Sequence, residues 1–154
     1  MKIKIIIVLV GIFMLCITSC GNSGKPKQYT EEELTEIVHN ESDKLYNKIA
    51  GTWKTSNTYS NGHGFYMEMT IRSDHSLVCR AVDASDGEIF GSLSGDCLVK
   101  PNLSQYLEHM SLTDEEKEAW KSELVIIRFD DGSSETYELN GNRLESEDYT
   151  FYKK

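Results

Sequence analysis

From Gly51 onward, apolar residues recur at every second position in short runs, and each run is closed by a tight-turn signal. Residues 64–72 place Phe65, Met67, Met69 and Ile71 on one face and Tyr66, Glu68, Thr70 and Arg72 on the other. Ser73-Asp74-His75-Ser76 turns this run into residues 77–82, Asp86-Gly87 precedes Glu88-Ile89-Phe90, and a further short strand is expected over 96–100. Residues 124–129 are apolar on both faces, which predicts a central strand. Asp130-Asp131-Gly132-Ser133 returns that strand into 135–139, and Asn140-Gly141 is the strongest hairpin signal in the chain. Leu144 and residues 149–152 complete eight or nine strands. The expected fold is mainly β: an antiparallel up-and-down meander that closes into a barrel of about eight strands.

Two stretches have helical spacing. Thr30 and Glu33 form a capping box, Tyr29 and Leu34 occupy the positions of a hydrophobic staple, and Leu34, Ile37, Val38, Leu45, Tyr46 and Ile49 share one face. Gly51 supplies the stop. A helical insertion is expected over 101–121, where Thr113 and Glu116 repeat the capping-box spacing and Trp120 lies near the helix end.

Ahead of these elements, Lys2 and Lys4 precede an apolar run from Ile5 to Ile17, shorter than the roughly 20 residues a spanning helix needs. The run ends in Ile17-Thr18-Ser19-Cys20, which resembles the lipobox of bacterial lipoproteins. The resemblance implies a leader over 1–19 and lipid on Cys20, with the protein exported and held on the outer membrane facing the periplasm. Residues 20–28, rich in Gly, Ser and Pro and without an apolar side chain after the cysteine, read as a tether. One domain follows over 29–154.

The formal net charge is −9, and removal of Lys2 and Lys4 would make it more acidic. Nucleic acid and anionic lipid surfaces call for a basic face, so neither is an expected partner. With Cys16 in the leader and Cys20 lipidated, Cys79 and Cys97 remain in the fold. In an oxidising compartment they are a disulfide candidate, with two buried thiols as the alternative.

The helical lead-in, Gly51-Thr52-Trp53 opening the first strand, and the meander running to residue 154 are together similar to the lipocalin superfamily, in particular to small lipocalin-like lipoproteins of Bacteroidetes-type bacteria. In lipocalins this tryptophan closes the bottom of the barrel beneath a basic residue near the end of the last strand. The resemblance gives Gly51 and Trp53 that structural role, and the closing segment offers Lys153 and Lys154 as the basic partner.

Catalytic signatures are sparse. His39, His63, His75 and His109 show no metal-binding spacing, although His63 and His75 could meet across a hairpin. Asp83-Ala84-Ser85-Asp86-Gly87-Glu88 lacks the spacer and closing glutamate of an EF-hand, and reads as a turn. No G-x-S-x-G, P-loop or G-x-G-x-x-G occurs. No catalytic residue, metal or cofactor is therefore assigned. An eight-stranded barrel either fills itself or holds one small ligand, and the candidate cavity face is Phe65, Met67, Met69 and Ile71. Two readings follow. The first is a monomeric, non-enzymatic, lipid-anchored protein holding a small apolar or amphipathic ligand. The second is a packed barrel that acts on a protein partner through its loops or the 101–121 insertion.

Overall fold

The computed structural model describes residues 29–154 apart from 57, 61 and 62; the expected leader over 1–19, the expected tether over 20–28 and Cys20 lie outside the described residues. The first helix, α1, spans Glu31–Ile49. Its capping box is closed in both directions: Thr30 Oγ1 accepts from the Glu33 amide at 3.2 Å, and Glu33 Oε2 accepts from the Thr30 amide at 2.9 Å. Glu31, Glu32 and Glu33 place negative charge where the helix dipole favours it. At the far end Leu45 and Ile49 are buried, and Gly51 takes a φ of 128°, which L side chains rarely adopt, as the chain turns into the sheet. No helix among the described residues is long and apolar enough to cross a membrane.

Nine hydrogen-bonded segments follow: β1 Gly51–Thr55, β2 Thr58–Ser60, β3 His63–Ile71, β4 Ser76–Asp83, β5 Ile89–Lys100, β6 Leu124–Phe129, β7 Ser134–Asn140, β8 Arg143–Glu145 and β9 Thr150–Lys153. Each pairs antiparallel with its neighbour in sequence from β2 to β9, and β1 pairs with both β9 and β3. The sheet therefore closes. β1 and β2 are two halves of one stave along β3: Lys54 faces Glu68 while Thr58 faces Phe65, so the stave carries one extra residue, a bulge. The result is a closed, eight-stave, up-and-down barrel, as the period-two pattern predicts. The Asn140-Gly141 turn forms as expected, with Gly141 at φ 63° and Asn140 paired to Arg143.

Alternation fixes what points inward. Trp53, Met69, Ile71, Leu77, Cys79, Cys97, Val125, Ile127, Tyr137, Leu139, Leu144 and Phe151 form one buried cluster with Leu45 and Ile49 of α1. Trp53 is fully buried, and its indole donates to the Ile49 carbonyl at 2.8 Å. The opposed pairs Trp53–Met69, Met69–Cys79 and Cys97–Ile127 tie this layer together around the barrel. β6 is not central, since a closed barrel has no centre. Its outer apolar side chain Ile126 lies opposite Leu98 of β5, a cross-strand pair on the outer face.

The insertion between β5 and β6 is less helical than expected, comprising a 3₁₀ turn at Leu107–His109 and a short helix, α2, at Asp114–Ala119 with its own capping box. Leu103 and Leu107 are its buried anchors. Lys100 ties it to the barrel, donating to the carbonyls of Ala119 and of Ser122 and lying 5.4 Å from the Trp120 ring centroid. The Tyr106 hydroxyl donates to Glu41 of α1 at 3.0 Å, and Lys48 pairs with Glu123 at 2.6 Å. α1 and the insertion thus share the end of the barrel where β5 stops and β6 starts.

Two expectations require correction. His63 begins β3 and His75 lies in the turn after it, so the two stand at opposite ends of the barrel. His75, at a φ of 69°, stacks on Tyr46 with centroids 3.6 Å apart and planes 9° apart, locking α1 to the lower turn. Cys79 and Cys97 are free thiols rather than a disulfide. Cys79 faces Leu93, four residues before Cys97 on β5, an offset of about 13 Å along a strand. A disulfide needs α-carbons within about 7 Å. Burial pushes both thiols up to about 11, with the Glu135 carboxylate adding to the effect at Cys79 and that of Asp96 at Cys97. Iodoacetamide is accordingly expected to label Cys79 and Cys97 only after unfolding. A peptide pair cross-linked through the two, found by mass spectrometry, would overturn the assignment.

Candidate ligand-binding site at the barrel mouth

The staves differ in height. β5 continues above its last pair with β6, Gly95–Phe129, as the segment 89–94, which pairs only with β4 apart from one bond from the Asp130 amide to the Ser94 carbonyl. β3, β4 and β5 therefore form a high wall, and β6 to β9 a low one. The inner face of the high wall carries Phe65 and Met67 on β3, Ala81 on β4, and Gly91 and Leu93 on β5, since Met67 pairs with Ala81, Ala81 with Gly91, and Cys79 with Leu93.

All four expected cavity-face residues point inward, but they divide. Met69 and Ile71 are 1% and 2% exposed and belong to the filled floor, while Met67 and Phe65 above them are only partly buried. Leu93, inward by register, is 42% exposed. The lower barrel is packed with its own side chains, whereas the inner apolar side chains of the upper barrel stay partly exposed around its mouth, or cup.

A bulge adds Phe90. Ala81 pairs with Gly91 but Val82 with Ile89, so Phe90 is the extra residue, and its ring meets Phe65 edge-on at 6.0 Å. Phe90 is 62% exposed and Ile89 51%. Phe129, at the top of β6, packs against the floor.

The low wall contributes a polar pair. Glu135, Tyr137 and Leu139 share the inner face of β7, and Glu135 stands opposite fully buried Ile127. The Tyr137 hydroxyl donates to Glu135 Oε2 at 2.6 Å, and burial followed by this bond raises the phenol above its ordinary range. Nearby, Thr55 Oγ1 accepts from the Met67 amide at 2.9 Å, so the hydroxyl of an inward β1 residue bridges to β3. Phe90, Leu93 and the Glu135–Tyr137 pair were not singled out from sequence. Glu135 could have been, because it alternates with Tyr137 and Leu139. Leu93 is masked by the serines and glycines around it, and Phe90 by a bulge.

At the closed end, the Lys153 ammonium lies 5.5 Å from the Trp53 ring centroid and donates to the Lys48 carbonyl. The side chain also lies where a Cβ on Gly51 would meet its Cε at 3.4 Å. Gly51, Trp53 and Lys153 therefore form one structural unit at the floor, remote from the cup. No family model, curated protein or solved structure matches the chain.

Proposed function

We propose that this is a lipid-anchored, non-enzymatic binding protein of lipocalin-like design that holds a small apolar or amphipathic ligand in the mouth of its barrel. One observation carries the reading: Phe65, Met67 and Leu93 point inward by strand register yet remain accessible, above a floor that is already filled. Solvent-exposed inner apolar surface is what a bound apolar group would cover. The anchoring half rests on Ile17-Thr18-Ser19-Cys20 and the tether behind it, which would hold the domain on the periplasmic side of the outer membrane.

Native and denaturing mass spectrometry of the gently purified protein is expected to reveal a guest lost on unfolding. The double variant Phe65→Ser, Leu93→Ser should weaken binding by at least tenfold while its free energy of unfolding stays within about 2 kcal/mol of the parent, because both sites are partly exposed. If no guest is carried and none binds, Ile89 and Phe90, outermost on the same rim, favour the second reading, a protein partner at the mouth. Mass spectrometry of the mature N-terminus tests the anchor: lipid on Cys20 is expected, and an unmodified chain beginning elsewhere would end that part of the proposal.

A further inference from the structure

The cup is not uniformly apolar. Glu135 stands on its low wall, directly above the filled layer, with its carboxylate directed to the Tyr137 hydroxyl and felt by Cys79 on the high-wall strand β4. A carboxylate is an acceptor with room for about four donors, and Tyr137 occupies one place. In the cup the inner face carries no lysine or arginine among the described residues. Among the described residues, inward-facing Lys153 is committed to the floor over Trp53, while Arg128 faces outward to Asp96. Lys54, one residue from inward Trp53, lies over the Tyr66 ring on the outer surface. The rim adds His63 and Asp83, the latter held by the Ser85 amide and hydroxyl, together with the acidic residues of the β4–β5, β6–β7 and β8–β9 turns, so it too offers no lysine or arginine among the described residues.

We propose that the cup selects amphiphiles whose polar end is a protonated amine, held by Glu135 beside the Tyr137 hydroxyl, with the apolar part against Phe65, Met67 and Leu93. This rests on the carrier reading and adds the chemical class of the ligand. An ammonium has three donors and meets an acceptor pair, whereas a fatty-acid carboxylate would face Glu135 with like charge in a partly dry site. A neutral alcohol keeps the apolar contacts and loses the charge.

The test is calorimetric titration of the intact protein at pH 7 with n-decylamine, decan-1-ol and decanoate, the ionic probes below their micelle concentrations and the alcohol below its solubility limit. The amine is expected to bind at least tenfold more tightly than the alcohol, and decanoate more weakly than either. Glu135→Gln should bring the amine to the level of the alcohol and leave alcohol binding unchanged. Glu138→Gln, an outward-facing change on the same strand, should leave the amine preference intact and so separates the cup from the general acidity of the surface. Decanoate binding as tightly as the amine, or an amine preference that survives in Glu135→Gln, overturns the inference while the carrier reading stands. The comparison among the three probes on the unaltered protein holds even if a variant fails to fold. Binding of none of the three removes the carrier reading and this inference with it.

Discussion

Trp53→Ala is expected to lower the free energy of unfolding by about 3–5 kcal/mol, out of the roughly 5–15 kcal/mol typical of a small domain. The indole is fully buried, pairs across the sheet with Met69, donates to the last carbonyl of α1 and lies beneath Lys153. Alanine would open a void where three elements meet and leave the Ile49 carbonyl without that donor. Guanidinium unfolding followed by circular dichroism measures the loss, since the substitution removes one of the two fluorescent tryptophans. Stability close to the parent with loss of ligand binding would instead make Trp53 part of the site. Its position at the end opposite the cup argues against that outcome.

Gly95→Ala should be nearly as damaging, at about 3 kcal/mol, the upper part of the range for overpacking. A Cβ at Gly95 would stand 2.1 Å from the Arg128 carbonyl oxygen and 3.0 Å from the Phe129 α-carbon. Those atoms are backbone, so no rotamer change relieves the clash; β5 and β6 would have to part at their uppermost pair. Gly91→Ala is the control. The nearest atom there is the Ala81 Cβ at 3.6 Å, an ordinary contact, and a change within about 0.5 kcal/mol is expected. If thermal melts place the two variants together, the close approach at Gly95 is not a constraint on the fold.

The staves were legible because one barrel face is dry, so alternation in 64–72, 77–82 and 135–139 reports directly on which residues point inward. Both capping boxes were legible for a similar reason, being short-range bonds between side chain and backbone. What alternation cannot convey is where strands slip. The bulges in the first stave and at Phe90 each shift register by one residue, and no composition marks them. Cys79 and Cys97 were each placed on strands correctly, yet their pairing depended on an offset of four residues between β4 and β5. The apolar doublets of 124–129 suggested a strand covered on both faces, whereas the outer residue Ile126 is half-buried between its cross-strand neighbours Leu98 and Thr136. The cup stayed hidden because it depends on unequal stave heights. That is a property of where β6 ends relative to β5, and of no single residue.

The seam between β1 and β9 has a consequence for the order of events during synthesis. Every other pairing except β1 with β3 joins neighbours in the chain, whereas Trp53 meets Lys153, and the Lys154 amide reaches the Thr52 carbonyl, only when nearly the whole domain is available. Until Thr150–Lys153 leaves the ribosome, the sheet can curl but cannot close, and Trp53 and Leu144 lack the residues that seal them. A nascent chain halted anywhere before that strand would keep an unsealed edge along β1. The fold would then lock in a single late step, once the final staple of four residues has joined the rest.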